Sequence, residues 1–362
     1  MKRFVKRTAL TLCMALSSTL PAASAKVFET VGFEKTLVHS KERDENLTVL
    51  IWYPALPGGD LEAVGENRVF AGTKAFQNAP VAKGMHPLVL LSHGSGASVE
   101  RMAWIAVELA ANGFVVAGPN HPGTTSGDST PEDTPKLWQR TNDLSTLLDH
   151  LLQDPVWRAA IDPERVGSLG FSLGGAAVLR SVGALATVEA YVRYCDTYPG
   201  MADCRWFKGG RAYRHGEEIK VRPFDLRSVN RARFEQREQD LRIRAVVAVD
   251  PALAAVFDPA SLEPVNIPLH FINLGLPKTI PIAVKSDELA EGASSGSLDY
   301  VANAVHFSFL PECAPGAADF LKRIGETDEL CADGGARPRA ELHQELADKI
   351  VTVLQNSLSV GK

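Results

Sequence analysis

Short apolar runs alternate along the chain with segments of helical periodicity, a pattern typical of an α/β fold with a mostly parallel sheet flanked by helices. The runs that predict strands are Thr48–Tyr53, Leu88–Leu91, Val115–Ala117, Val166–Leu169, Ala245–Val249 and Leu269–Asn273. The segments that predict helices are Met102–Ala111, Leu137–Leu152 and a closing amphipathic helix from about Ala340 to Leu354. The sequence has no internal repeat, so it predicts one large core with an insertion.

Residues 191–244, which lie between two predicted strands, differ in composition from their surroundings. They contain thirteen Lys and Arg against eight Asp and Glu, with aromatic residues interspersed. The charged stretch Ser228–Leu241 has a helical pattern. We interpret 191–244 as a helical insertion over one edge of the sheet, within a single domain of residues 26–362, and as a candidate cap over the functional site. A solvated insertion without a substrate role is the alternative.

The first 25 residues have the pattern of a targeting signal. A basic segment (Lys2, Arg3, Lys6 and Arg7) precedes an apolar run from about Ala9 to Leu20, and the small residues Ala23, Ser24 and Ala25 follow. These are the parts of a secretory signal peptide. The sequence therefore predicts cleavage near Ala25 and an exported chain, periplasmic or secreted, with an uncleaved N-terminal anchor as the alternative. No later run is long and apolar enough to predict a transmembrane segment.

Charge and cysteine content narrow the function classes further. Removal of the four basic signal residues leaves 34 of the 38 Lys and Arg against 43 Asp and Glu, a net charge near −9. This balance argues against a nucleic-acid partner, which needs a basic surface.

Four cysteines remain and allow three pairings, of which we favour the sequence-local Cys195–Cys204 and Cys313–Cys331. Their spacing does not resemble a zinc site, so we expect no metal.

The segment Gly170–Gly175 reads Gly-Phe-Ser-Leu-Gly-Gly and lies between a predicted strand and a run of small, helix-forming residues. A G-x-S-x-G run in this context is a nucleophile elbow, in which a strained turn exposes the serine hydroxyl. Ser172 is therefore the candidate nucleophile. A glycine-rich turn with an incidental serine is the alternative.

A serine nucleophile needs a base and a carboxylate that orients the base. His306 follows the last predicted strand and is the candidate base, although a structural histidine beside an aromatic cluster is the alternative. Asp250 ends the run Ala245–Val249 and is the first choice for the acid, because open α/β sheets place working groups at the carboxyl ends of their strands. A helix N-cap is the alternative role for Asp250, and Asp287 and Asp299 are the rival acids.

The oxyanion of an acyl-transfer reaction needs two backbone donors. The elbow predicts the Leu173 N–H as one of them. The glycine-containing segment Ser92–Gly96 follows the strand Leu88–Leu91, and its Ser95 N–H is the second candidate. We expect His93 to brace this loop through hydrogen bonds. A phosphate cradle is a weak alternative, because the segment lacks the Walker and dinucleotide-binding spacings.

These motifs resemble the α/β-hydrolase superfamily, and within it the group of platelet-activating-factor acetylhydrolases and dienelactone-hydrolase-like proteins. The likeness is carried by Pro87–Gly96, Asn112–Val116, Gly170–Gly175, Ile267–Asn273 and Val305–Phe307. It implies the chain order Ser…Asp…His and favours Asp250 over Asp287 as the acid. Dienelactone hydrolases use a cysteine nucleophile, so that likeness implies fold more than substrate. The insertion at 191–244 has no counterpart that we can match.

The sequence thus predicts an exported serine carboxylic-ester hydrolase that acts through an acyl-enzyme on a small or lipid-like ester, with short-acyl or acetyl esters as candidates. No cofactor is required. The basic, aromatic insertion leads to the hypothesis that substrates carry an anionic or phosphate group. An amidase, a lactonase or a polyester hydrolase could use the same triad, and a non-catalytic binding protein is a further alternative.

Overall fold

A ten-stranded sheet forms the centre of the molecule in this computed structural model, which describes residues 28–335 and 337–359. Its strands, in chain order, are β1 (Val31–Ser40), β2 (Glu45–Pro54), β3 (Asp60–Val64), β4 (Thr73–Gln77), β5 (His86–Ser92), β6 (Val115–Pro119), β9 (Ile161–Phe171), β13 (Ile243–Val249), β15 (Leu269–Leu274) and β16 (Gly296–Val301). Their order across the sheet is β16-β15-β13-β9-β5-β6-β2-β1-β4-β3. Neighbours from β16 to β6 pair in parallel, whereas β2 pairs antiparallel with β6 and with β1.

Shorter strands lie outside this sheet: β7 (Thr124–Thr125), β8 (Asp128–Ser129), β10 (Leu185–Ala186), β11 (Gly210–Arg214), β12 (Glu217–Val221) and β14 (Phe257–Asp258). The helices are α1 (Ala103–Ala111), α2 (Leu137–Gln153), α3 (Pro155–Ala160), α4 (Leu173–Arg180), α5 (Val188–Thr197), α6 (Ala202–Trp206), α7 (Arg231–Glu235), α8 (Asp287–Gly292), α9 (Ala317–Arg323) and α10 (Arg339–Ser357).

Helices cover the sheet on both faces, which explains the continuous apolar runs of its parallel strands. In β5, Leu88 and Leu90 pack against α2, α4 and the insertion, whereas Val89 and Leu91 pack with α1 and α10 on the other face. The six predicted strands all lie in the central sheet, and the three predicted helices correspond to α1, α2 and α10. The predicted fold class is therefore confirmed.

The insertion at 191–244 is less helical than the sequence predicts. It contains α5, α6, the hairpin β11–β12 and α7, and the helix predicted over Ser228–Leu241 is wrong beyond the short α7. The buried guanidinium of Arg180 donates hydrogen bonds to the carbonyls of Arg233, Phe234 and Gln236. Because these carbonyls are taken by Arg180, the backbone leaves the helical conformation at Gln236, where φ is −68° and ψ is 142°.

Two disulfides close loops beside the core. Cys195 is bonded to Cys204 and Cys313 to Cys331, which are the pairings expected from the sequence. The segment expected to be a signal peptide, residues 1–25, lies outside the described residues. Within the described ranges, no helix has the length and apolar character needed to span a membrane.

Candidate active site

Ser172 occupies the strained turn between β9 and α4. Its backbone has φ 54° and ψ −119°, a conformation that non-glycine residues rarely adopt and that costs about 1–3 kcal/mol. The surrounding glycines make the turn feasible, because a Cβ at Gly170 would overlap Gly174 O. Backbone hydrogen bonds from Ser172 N to Val249 O (3.0 Å) and from Ala252 N to Ser172 O (2.9 Å) tie the turn to the end of β13.

The structure brings Ser172, His306 and Asp250 into one hydrogen-bonded series. His306 Nε2 lies 3.1 Å from Ser172 Oγ, and His306 Nδ1 lies 2.9 Å from Asp250 Oδ2. The Asp250 side chain is fully buried, whereas that of His306 is 25% exposed. A carboxylate held inside and an imidazole at the surface form the arrangement that a serine nucleophile requires.

Asp250 is itself fixed by the neighbouring strand. Its Oδ1 accepts hydrogen bonds from Asn273 Nδ2 and from Leu274 N, each at 2.9 Å. Asn273 is held in turn by Val284 O and by the backbone N–H of Ser286. The carboxylate is therefore satisfied on both oxygens, which leaves Oδ2 directed at His306.

The two rival carboxylates have other partners. Asp287 Oδ1 accepts a hydrogen bond of 2.7 Å from Tyr300 Oη, and its other oxygen lies 3.8 Å from Lys285 Nζ. Asp299 lies 3.1 Å from His270 Nε2 and 3.8 Å from Lys349 Nζ. His270 lies near the amino end of β15, so this pair is at the opposite edge of the sheet from Ser172.

The segment that carries His306 is held by buried aromatic and polar contacts. The His306 ring packs on Phe171 with a centroid distance of 4.8 Å, and Trp104 Nε1 donates to Phe309 O at 2.9 Å. His343 stacks on Trp104 and lies within hydrogen-bond distance of Ser308 O. Burial lowers the pKa of His343 to about 4, so this ring is neutral at physiological pH and acts as a donor.

The loop after β5 lies directly against the elbow. A Cβ at Gly94 would be 3.4 Å from Ser172 Cβ, and a Cβ at Gly174 would overlap Ser92 O. Ser95 follows Gly94 in this loop and is exposed, and its N–H and that of Leu173 stay the predicted oxyanion donors. His93 is fully buried, with Nδ1 2.7 Å from Gly94 O and Nε2 accepting from His121 N, so it braces the loop.

The two disulfide-closed segments approach the same histidine. Asp203, next to Cys204 in the insertion, interacts electrostatically with His306, as does Asp328 in the segment between Cys313 and Cys331. Burial raises the pKa of Asp203, and hydrogen bonds from Cys204 N and Tyr194 Oη oppose this rise. Arg205 of the insertion also interacts electrostatically with Asp328, so the charged groups of these two segments are of both signs.

The arginines of the insertion mostly pair with carboxylates at the surface. Arg227 contacts Asp196 and Asp225, and Arg231 contacts Glu235. The hypothesis that the insertion selects anionic or phosphate-bearing substrates stays a prediction.

Sequence reasoning missed several residues around the site. They are Asn273, Asp203 and a buried polar network formed by Arg43, Ser92, His121, Arg140 and Asp143. One signal was available for the network, since Arg140 and Asp143 occupy helical positions on the face of α2 that its leucines otherwise fill.

Among residues 28–335 and 337–359, no cluster of three His, Cys, Asp or Glu side chains could hold a metal ion.

Comparison with known proteins agrees with this architecture. Residues 63–135 match the family model of platelet-activating factor acetylhydrolase, isoform II. The structure is similar to a ferulic acid esterase from Streptomyces cinnamoneus, with a TM-score of 0.61 and 17% sequence identity, over 93% of this chain and 92% of that chain. A dienelactone hydrolase from Anabaena variabilis matches with a TM-score of 0.46 and 15% identity, over 90% of this chain and 98% of that chain.

The sheet topology and the match to the esterase structure show that the chain has the α/β-hydrolase fold. The segment matched by the acetylhydrolase model contains β5, α1 and β6 with the loop of Ser95, and it confirms the resemblance stated from the sequence. Ser172, Asp250 and His306 lie outside the matched segment, so their roles rest on geometry.

Proposed function

We propose that the protein is a serine hydrolase of carboxylic esters. One observation carries the proposal: a serine in a strained elbow, a partly exposed imidazole and a buried carboxylate form a series with separations of 3.1 and 2.9 Å. The order Ser172, Asp250, His306 along the chain is that of α/β-hydrolase triads. The partial match to an acetylhydrolase family supports an ester substrate, with short-acyl or acetyl esters as the first candidates.

In the proposed mechanism, Ser172 Oγ attacks the acyl carbonyl while His306 Nε2 takes its proton. Asp250 keeps Nδ1 protonated and stabilises the imidazolium that forms. The backbone N–H groups of Leu173 and Ser95 bind the oxyanion. His306 then protonates the leaving alcohol, and in the second half-reaction it takes a proton from the water that releases the acid.

The insertion contains a carboxylate that interacts electrostatically with His306. Asp203 is held by two hydrogen bonds and interacts electrostatically with the ring that becomes an imidazolium in the transition state. We therefore propose that the insertion acts as a cap over the site and that Asp203 adds to the stabilisation of this cation. The two disulfides, which are typical of exported proteins, support the proposal that the protein is exported.

We expect Asp203→Asn to lower kcat for a simple ester about fivefold, since one charge interacting across a partly solvated site contributes on the order of 1 kcal/mol. The matched control is Asp225→Asn, which neutralises an exposed carboxylate of the insertion that pairs with Arg227. Steady-state kinetics of both variants check the expectation. Equal rates for Asp203→Asn and the parent protein would remove the support for this role.

Hydrolysis of a p-nitrophenyl ester series from acetate to palmitate by residues 26–362 tests the proposed function. We expect turnover with an optimum at short acyl chains. A matched p-nitroanilide and an aliphatic lactone in the same assay distinguish an amidase or a lactonase, and a polyester film distinguishes a polyester hydrolase. If the folded protein hydrolyses none of these substrates, the esterase proposal is wrong and a binding protein becomes the better interpretation.

A further inference from the structure

A second series of serine, histidine and aspartate side chains lies behind the loop that carries Ser95. Ser92 Oγ is 2.9 Å from His121 Nε2, and His121 Nδ1 is 2.7 Å from Asp143 Oδ2. The three residues come from the end of β5, the loop after β6 and the buried face of α2. The series therefore has the same connectivity as Ser172, His306 and Asp250.

The two series differ in how far their side chains are exposed to solvent. Ser92, His121 and Asp143 are all fully buried, whereas His306 is 25% exposed. A substrate cannot reach a hydroxyl without exposed surface, so Ser92 is not a second nucleophile. The second series must act, if it acts at all, through the residues that it contacts.

Two arginines, Arg43 and Arg140, act on the ionisable groups of the second series, the Asp143 carboxylate and the His121 imidazole. Arg43 binds both carboxylate oxygens of Asp143, with separations of 2.7 and 2.8 Å. Burial, together with Arg140 and Arg43, lowers the pKa of His121 well below its usual value. His121 is therefore neutral, donates a hydrogen bond from Nδ1 to Asp143 and accepts one at Nε2 from the Ser92 hydroxyl.

Arg140 connects this series to the oxyanion loop. The Arg140 guanidinium is buried and donates from Nη1 to His93 O at 2.7 Å and to Ser92 Oγ at 3.2 Å. Its Nε donates to Thr124 Oγ1 at 3.0 Å. On the opposite side, the carbonyls of Ser92 and His93 lie against Gly174 in the first turn of α4. The start of the loop is thus held between Arg140 and the elbow helix.

We propose that Ser92, His121, Asp143 and Arg140 are positioning residues that set the oxyanion loop against Ser172. This inference rests on the proposed ester hydrolysis and adds to it the group that aligns the Ser95 N–H. A preorganised donor stabilises the developing oxyanion only when it is aimed at the place where that charge appears. Loosening the network should therefore cost transition-state stabilisation more than substrate binding.

The test is Ser92→Ala, which removes the hydroxyl shared by Arg140 and His121. We expect kcat to fall about fivefold to twentyfold, the effect of one buried hydrogen bond to charged or polar partners, with KM within about twofold. The specific readout is the ratio of kcat/KM for an aryl ester to that for the matching O-aryl thionoester. Sulfur accepts hydrogen bonds poorly, so this ratio should fall by a similar factor when the oxyanion hole is misaligned.

The matched control is Ser297→Ala. Ser297 Oγ lies 2.7 Å from His270 Nδ1, and that histidine also contacts a carboxylate, but the group is at the far edge of the sheet. We expect both kinetic constants and the ester to thionoester ratio to stay within about twofold of the parent values. Arg140→Lys, which keeps the charge but cannot bind His93 O and Ser92 Oγ together in the same way, serves if Ser92→Ala does not fold.

The outcomes separate this inference from the proposed function. If the parent protein hydrolyses no ester, the proposed function is wrong and the inference is wrong with it. If the parent is active and the ester to thionoester ratio is unchanged in every one of the Ser92→Ala and Arg140→Lys variants that folds, the network only stabilises the fold. A fall in that ratio in either variant, with Ser297→Ala unaffected, supports the positioning role.

Discussion

Replacing Ser172 by alanine is expected to lower kcat for ester hydrolysis by about four orders of magnitude or more, with the protein still folded. The loss is large because, in the proposed mechanism, every later step depends on an acyl-enzyme at Ser172 Oγ. Among the described residues, no other hydroxyl lies within hydrogen-bond distance of His306. The turn itself should tolerate the change, since it depends on backbone geometry and on the neighbouring glycines. The measurement is kcat on p-nitrophenyl acetate, with circular dichroism as the check of folding.

The matched control for this substitution is Ser168→Ala in the same strand. Ser168 is fully buried, and its Oγ has no hydrogen-bond partner among the described residues. Removing this hydroxyl should leave kcat within about twofold, because it makes no hydrogen bond to the site, and its loss removes only the cost of burying an unpaired polar atom. Retention of more than a hundredth of the parent activity in Ser172→Ala would show that another group is the nucleophile.

Replacing Asp250 by asparagine is expected to lower kcat by about three to four orders of magnitude. The amide can keep the contacts to Asn273 and Leu274, but it no longer stabilises the imidazolium and it favours the wrong tautomer of His306. The decline should appear in kcat and in kcat/KM equally, because the lost interaction is made in the transition state.

The rival acid provides the control for this second prediction. Asp287→Asn alters a carboxylate that binds Tyr300 and lies beside Lys285, and we expect less than a threefold effect on kcat. The opposite result, a severe loss in Asp287→Asn with a mild loss in Asp250→Asn, would reassign the acid and contradict the hydrogen bonds around His306.

The parts of the fold that the sequence predicted are those governed by local pattern. Parallel strands buried on both faces produce the apolar runs from which β5, β6, β9, β13 and β15 could be predicted. The strands β1, β3, β4 and β16, of which β3 and β16 form the edges of the sheet, carry exposed residues and lack such runs. The end of α7 could not be predicted either, because it depends on Arg180, which is distant in sequence.

In the candidate site, too, the residues that could be predicted are those that the local sequence marks. Ser172 is marked by a motif of adjacent residues, and Asp250 and His306 by their positions after apolar strands or in a recognisable segment. Asp203 and the Ser92 network depend on contacts between elements far apart in the chain. His121 lies in a polar loop rich in proline and glycine, where sequence pattern does not indicate burial. Only tertiary packing shows that its ring lies between Ser92 and Asp143.

The most direct test of the central claim is to treat residues 26–362 with a fluorophosphonate and to map the modified peptide by mass spectrometry. Such a probe reacts with a serine hydroxyl that an adjacent base activates. The account predicts one adduct, on Ser172, that is lost in His306→Ala. An adduct on Ser92 or on another serine, or no adduct on a protein that hydrolyses esters, would contradict it.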